Sequence, residues 1–435
     1  MYGKKPEIVV YAHPNGALDV AWIDNDKDQI VLSHVTRDGD EYRAAWHLEL
    51  ETLNYLGGFA RDEDNSIYYL TAVAEDLQHE MEPSGVQRED IIQLFKLTAG
   101  GELEYRIDLR TDATNADATP IYDPMTAGTG RLAVGDGRVM TTFSQHGEYD
   151  EGVSGRHQWQ IYIPVDAATG ELGGRLRAPS HSFDQRVFYD GQDFVGMALG
   201  DASLRGVGLA KLSDGDHKVA FAIKGGDSET GGGYNNTFTR LGNVQPGEEG
   251  YVAVFSTEND ATSTGDRVIA SRNLAFVHVV EDFETIDSDE KYDVQIVDTG
   301  EGNDHATTLD VQILDYWGEA FDGNNRGLVW LTDYTDRENE HVERPKVVRI
   351  AEDAYAVVWE KWTLKEYVTT EAVLVDEYGN VQTEKADLGP ARLNRGDDLV
   401  RLGDRAAWVV GEADAPQLVL YTLDEQLELA RHEIK

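Results

Sequence analysis

Arg349-Ile350-Ala351-Glu352-Asp353-Ala354-Tyr355-Ala356-Val357-Val358-Trp359 sets out the unit from which the chain is built: an arginine, a tight acidic turn, then a β-branched and aromatic run. The same order recurs at Arg61 before Asp62-Glu63-Asp64-Asn65 and Ile67-Tyr68-Tyr69-Leu70, at Arg131 before Gly135-Asp136-Gly137 and Val139-Met140, and at Arg186 before Asp190-Gly191 and Phe194-Val195. Arg240 precedes Pro246-Gly247 and Tyr251-Val252-Ala253-Val254-Phe255, and Arg401 precedes Gly403-Asp404 and Trp408-Val409-Val410. Runs of this composition suit a pleated, half-buried surface, and Gly, Asn and Asp supply the backbone angles that tight turns require. Each copy therefore reads as a β-hairpin.

A second hairpin follows several copies. Ile161-Tyr162-Ile163-Pro164-Val165-Asp166 turns through Ala168-Thr169-Gly170, Leu94-Phe95-Lys96-Leu97 turns at Gly100-Gly101, and Val373-Leu374-Val375-Asp376 turns at Tyr378-Gly379-Asn380. The repeat is thus four antiparallel strands, A to D. A less regular first copy starts at Ile8-Val9-Val10-Tyr11, turns at Pro14-Asn15-Gly16 and continues through Leu18–Trp22, Ile30–Leu32 and Ala44–Trp46. Serial four-stranded units with almost no helical periodicity resemble the β-propeller superfamily, whose blades are arranged radially about an axis. The resemblance covers nearly the whole chain and implies an all-β fold in a single domain, residues 1–435. It carries no functional residues, since the chain has no Trp-Asp ending, kelch pattern or Ser-x-Asp-x-Gly-x-x-Trp box.

Successive repeat arginines are 70, 55, 54, 109 and 52 positions apart, and the gap of 109 leaves room for one degenerate blade. Residues 281–345, however, offer three strands, near Val294–Val297, Leu309–Leu314 and Leu328–Leu331, where an extra blade would need five. Seven blades with an acidic insertion at about 281–325 is the preferred reading, and eight blades the alternative.

In such blades the A–B and C–D turns lie at one end, and the B–C loops and D-to-A crossings at the other. The long, chemically varied segments fall at the second end, where a rigid scaffold presents a binding site. Three of them stand out: Ser144–Trp159; the crossing Ser180–Arg186 with the loop Gly200–Gly206; and the crossing Tyr234–Arg240. One reading brings His157, His181, Asp184, Asp201 and Arg205, with Asn235, together at the axial mouth. Two imidazoles beside carboxylates can hold a divalent metal or exchange a proton near neutral pH, and Arg205 can bind an acidic group. The competing reading makes the Ser-Phe-Asp-Gln-Arg and Asn-Thr-Phe-Thr-Arg echoes cement between blades. For the six repeat arginines the second reading is adopted, because a residue repeated in every blade belongs to the scaffold. Glu360 and Trp362, in the sixth B–C loop, are a candidate sugar-stacking surface.

Metal and nucleophile motifs are weaker. Asp24-Asn25-Asp26-Lys27-Asp28 matches the start of a calcium loop, but Gln29 replaces its glycine and Val35 its bidentate glutamate. Asp287–Glu290 and Asp322–Asn325 are further acidic loops, so a divalent metal such as Ca²⁺ is the one cofactor considered. No two histidines have zinc-helix spacing, and any metal site is expected to draw on different blades. There is no Gly-x-Ser-x-Gly elbow and no phosphate-binding Gly-x-x-x-x-Gly-Lys loop.

Composition narrows the partners. Eighty-one acidic residues against 38 basic ones give a formal charge of −43, which excludes a basic nucleic-acid-binding face. The absence of cysteine removes disulfides, thiolate ligands and cysteine nucleophiles. No stretch has the apolar length of a membrane span, and Met1–Pro6 leads into Glu7–Val10 with no apolar signal region. The expected protein is soluble and monomeric, and either cytoplasmic or secreted with its signal removed. The preferred function is a binding or interaction module taking a small molecule, glycan or peptide at the axial mouth. The alternative is a lyase or hydrolase using His157, His181 and Arg205. Thirteen lysines against 25 arginines, under so acidic a composition, suggest adaptation to salt. Thermal stability is accordingly expected to rise between low and molar salt, and a flat melting temperature across that range would refute the adaptation.

Overall fold

The computed structural model describes residues 8–24, 29–39, 41–73, 91–109, 130–146, 158–174, 176–180, 182–200, 206–213, 217–222, 239–258, 270–283, 297–298, 328–412 and 417–435. They form seven antiparallel sheets, each built from consecutive strands, and no α-helix is present among them. No helix among the described residues is long and apolar enough to cross a membrane.

Blade 1 comprises Ile8–Ala12, Leu18–Asp24, Gln29–Asp38 and Glu41–Leu50; blade 2, Tyr55–Arg61, Ile67–Ala72, Ile92–Leu97 and Leu103–Asp108. Blade 3 runs Arg131–Gly135, Arg138–His146, Gln158–Asp166 and Leu176–Ser180, and blade 4 Ser182–Tyr189, Phe194–Gly200, Gly206–Lys211 and His217–Ala222. In blade 6 the strands are His341–Ala351, Ala354–Trp362, Tyr367–Val375 and Ala386–Gly389; in blade 7, Val400–Leu402, Arg405–Gly411, Leu418–Leu423 and Leu429–Glu433. Blade 5 has three regular strands, Arg240–Pro246, Gly250–Glu258 and Arg272–Val280, and a fourth edge in two pieces. Val297–Asp298 pairs with Val279 and His278, while Leu328–Trp330 pairs with Val277, Phe276 and Ala275. Residues 299–327 fall between these pieces, so a long stretch of acidic sequence intervenes without adding a blade among the described residues. The predicted strand at 309–314 lies outside them.

The strands form because alternate residues meet a neighbouring blade. Apolar side chains of adjacent sheets interlock in a series of cores, such as Met197, Leu199, Val207 and Leu209 of blade 4 against Leu241, Val244 and Phe255 of blade 5. Glycine is required where a large side chain of the next blade comes close. A Cβ on Gly196 would stand 2.1 Å from the Tyr162 hydroxyl, and one on Gly135 2.1 Å from the Tyr189 ring. Gly196→Ala is therefore expected to cost about 1–3 kcal/mol, read as a lower urea midpoint with an unchanged slope. An unchanged midpoint would show that the interface between blades 3 and 4 has slack.

The ring closes without exchanging a strand. Blade 1 packs on blade 7 through Ile8, Val10, Leu18 and Val20 against Leu402, Ala407, Val409 and Leu420. At the outer rim Ala44 N–H donates to Lys435 O at 2.8 Å and Lys435 N–H to Tyr42 O at 3.1 Å.

The six repeat arginines do not occupy one equivalent position. Arg131 and Arg240 open their strands, opposite Thr142 and Ser256, and Arg186 sits mid-strand opposite Met197. Arg61, Arg349 and Arg401 lie next to their A–B turns, opposite Ile67, Tyr355 and Ala406. The interval between arginine and turn, from none at Arg61-Asp62 to five residues at Arg240…Pro246, moves the side chain along the strand and, with a period of two, across faces.

Candidate functional site

The D-to-A crossing from blade 6 to blade 7 runs through Leu393-Asn394-Arg395-Gly396-Asp397-Asp398-Leu399 and lies across the axis. Its contacts establish this: it reaches blades 1, 3, 4 and 6, although only blades 6 and 1 flank blade 7 in the ring. Val10 N–H of blade 1 donates to Asp397 Oδ2 at 3.2 Å. Arg131 of blade 3 donates through Nη1 to Gly396 O. Lys346 Nζ of blade 6 approaches Arg395 O and Asp398 Oδ1, both at 3.4 Å. Arg186 Nε of blade 4 and Arg131 Nη2 lie 3.6 and 4.0 Å from Asp398 Oδ1.

Asp184 completes the cluster, its Oδ1 accepting from Arg186 Nη1 at 2.6 Å and from Gln185 N–H at 3.0 Å. Arg131, Arg186 and Lys346 are buried cations in an otherwise acidic protein. Burial acts on every group here, and neighbouring charges decide the outcome. It pushes Asp397 up to about 7, with the charge of Asp398 adding to the effect. Burial also pushes Asp398 and Asp184 upward, but their cationic neighbours, Lys346 and Arg131 around the first and Arg186 and Arg131 around the second, hold both carboxyls below the usual range. Lys346 falls to about 8, mainly through burial. Arg131 is lowered by burial and by the like charge of Arg186.

Several donors and acceptors beside this cluster have no hydrogen-bond partner: Arg131 Nε and Nη2, Arg186 Nε, Thr142 Oγ1, Ser144 Oγ and Gln160 Oε1. Strand register explains why most of them meet. Arg131 is paired with Thr142, Ser144 is two residues further along the same face, and Ser144 is paired with Gln160. Ala133 and Met140 on that face pack on Phe194 and Leu212 of blade 4. The interface between blades 3 and 4 is thus apolar near the turns and becomes a buried polar seam leading from Arg131 toward the B–C loop side. An unpaired buried polar group costs about 1–3 kcal/mol, so such a set calls for an occupant, either ordered water or a ligand.

Among the residues singled out from sequence, Asp184, Glu360 and Trp362 are described, and Asp184 belongs to the axial cluster. His157, His181, Asp201, Arg205 and Asn235 lie outside the described residues, as do residues 25–28, 287–290 and 322–325 of the acidic loops. Glu360 stands near the end of the second strand of blade 6. It is fully buried and accepts from Trp362 Nε1 at 2.7 Å, Leu393 N–H at 2.8 Å, Arg392 Nε at 3.0 Å and Arg344 Nη1 at 3.1 Å. These bonds use its acceptor capacity to anchor the base of the axial crossing. Trp362 is half-buried, with the guanidinium groups of Arg392 and Arg344 5.2 and 5.8 Å from its ring. A bulge at Arg344, whose φ is +52°, splits the duties of adjacent residues: Arg344 turns to Glu360, whereas Glu343 pairs with Arg240 and Arg272.

These features define a seven-bladed β-propeller with a charged crossing over its axis. No protein-family model matches the chain, and no curated protein does. Solved structures of similar chain path include the β-propeller domain of the trilobed protease from Pyrococcus furiosus, at 8% identity and a TM-score of 0.43, covering 99% of this chain and 93% of that one. Pyrococcus horikoshii acylaminoacyl peptidase is similar at 8% identity and a TM-score of 0.42 over 100% of this chain and 52% of the peptidase. A structure from a study of two prolyl endopeptidases gives 10% identity and a TM-score of 0.42 over 97% of this chain and 47% of that one. The chain therefore spans about half the length of the two peptidases.

Proposed function

We propose that this propeller is a binding module for a small organic anion, held where the axis meets the interface between blades 3 and 4. The observation that carries the reading is Arg131, whose Nε and Nη2 are buried without hydrogen-bond partners while Nη1 is committed to Gly396 O. Guanidinium donors held in this way suit a carboxylate or phosphate. Arg186 Nε adds a donor on one side, and Thr142, Ser144 and Gln160 offer hydroxyl and amide groups to a polar remainder on the other. A ligand with an acidic group and hydroxyls or amides, such as a hydroxy acid, a sugar acid or a peptide carboxylate, has matching chemistry. The acidic exterior repels polyanions, so selectivity for a small ligand follows from net charge as well as from burial.

A thermal-shift screen of small carboxylates, phosphates and neutral polyols tests the proposal. At least one anionic class should raise the melting temperature of the wild type, since ligand at a hundred times its Kd adds about 2.7 kcal/mol. Arg131→Met should abolish that response, and polyols should give none. A panel without a responding anion, or a response that survives Arg131→Met, would refute it.

One observation favours a second reading, a hydrolase or lyase: adjacent carboxyls with opposite shifts, Asp397 near 7 and Asp398 low, have the division expected of an acid and a base. In that reading His157, His181 and Arg205 remain the proposed catalytic groups. Turnover would follow a group titrating near pH 7 and vanish in Asp397→Asn; activity indifferent to that substitution would remove this support.

A further inference from the structure

At the A–B turn end of blade 1, two histidines and an aspartate converge. Asp19 and His34 are directly opposed on neighbouring strands, and His13 lies in the tight turn that leads back to Asp19. His34 Nδ1 is 2.7 Å from Asp19 Oδ1. His13 Nε2 lies 3.0 Å from Asp19 Oδ2, yet it is buried and makes no hydrogen bond. One ligand atom from each residue falls within 4.8 Å of the others, the one such grouping of three found among the described residues.

The surroundings hold these groups in place. Asp19 is completely buried, and Arg61 of blade 2 donates to its Oδ2, which fixes the carboxylate and leaves Oδ1 facing His34. The His34 ring is stacked on Trp46 with centroids 5.2 Å apart and planes 9° apart. Tyr11 and His34 both meet the His13 ring edge-on, at 5.1 and 5.4 Å. Metal-binding imidazoles and carboxylates are usually held by such outer contacts.

We propose that His13, Asp19 and His34 form a site for a divalent transition metal such as Zn²⁺, with water or a ligand atom in the fourth position. Metal–ligand bonds of about 2.0–2.1 Å in a tetrahedral site place ligand atoms about 3.3 Å apart. The 2.7 Å separation of His34 Nδ1 from Asp19 Oδ1 needs a few tenths of an ångström of outward movement, and His13 Nε2, 3.0 Å from the other carboxylate oxygen, has to turn toward the same ion, with one ligand atom of each residue already within 4.8 Å of the others. Two imidazoles and one carboxylate suit Zn²⁺, Co²⁺ or Ni²⁺, whereas Ca²⁺ requires six to eight oxygen ligands. The expectation that a metal site must join different blades changes accordingly: a single hairpin and its following strand bring the three groups together, and the neighbouring blade contributes the orienting arginine.

Titration of chelator-treated protein with Co²⁺ tests the site. Expected are saturation at one equivalent with the visible absorption of a low-coordinate ion, a raised melting temperature with Zn²⁺ but not Ca²⁺, and at least tenfold weaker binding in His13→Gln and in His34→Gln. His432→Gln should bind as the wild type does. If either variant fails to fold, acylation of wild-type histidines by diethylpyrocarbonate, mapped by mass spectrometry, replaces it: Zn²⁺ should protect His13 and His34. No saturable site, undiminished binding in both variants, or unprotected His13 and His34 would overturn the proposal, leaving the cluster as a latch between blades 1 and 2.

Discussion

Asp398→Asn is expected to lower the unfolding free energy by about 3–5 kcal/mol at pH 7, the penalty for stranding buried charges by removing their partner. Lys346, Arg186 and Arg131 approach this carboxylate at 3.4, 3.6 and 4.0 Å, and its side chain is only 30% exposed. Urea denaturation measures the loss. Asp404→Asn is the control, because that carboxylate is 92% exposed, and its effect should stay within about 0.5 kcal/mol. The pH dependence has a definite sign. Burial opposes the charge on Asp398, but its cationic neighbours win and hold the folded pKa below the unfolded value. Its stabilising contribution is therefore present above the unfolded pKa, near 4, and is lost as pH falls through the folded one. The gap between wild type and Asp398→Asn should narrow in acid, and a gap constant with pH would refute the ion-pair account.

The adjacent Asp397→Asn should act in the opposite direction. Burial first, and Asp398 second, push Asp397 from 3.8 to about 7. Between those values the folded state holds a proton that the unfolded state has released, so stability falls as pH rises, and the cost is complete above about 7. Three pKa units set an upper bound of about 4 kcal/mol. An asparagine oxygen can still accept from Val10 N–H, so the substitution is expected to be nearly neutral at pH 5 and to stabilise by about 1–3 kcal/mol at pH 8. Urea denaturation at the two pH values decides the matter; equal effects at both would show that Asp397 does not titrate between them.

The architecture was legible because the signals that create it are local. Alternating apolar residues, Gly-Asp turns and serial hairpins gave four-stranded blades and a count of seven, and the two-piece edge of blade 5 accounts for the long arginine gap. The axial crossing was not legible. Arg395-Gly396-Asp397-Asp398 has the composition of an exposed acidic turn, and only the closed ring brings it to blades 3 and 4. Arg349 pairs with Glu248 at the surface, whereas Arg131 and Arg186, alike to it in the repeat, are carried to the axis by their strand positions. Sequence placed Glu360 on a loop, but it lies within a strand that continues to Trp362, and burial turns it into an anchor. His13, Asp19 and His34 escaped notice because their spacing means little until strand register is known. Counting outward from the Asn25–Asp28 loop would have set Asp19 opposite His34.

Anomalous diffraction from crystals soaked in bromide locates the anion site proposed at Arg131 and Arg186. A peak within hydrogen-bonding distance of Arg131 Nε or Nη2, between blades 3 and 4, is the predicted result. Bromide peaks elsewhere on the protein, with none beside Arg131 or Arg186, would contradict it.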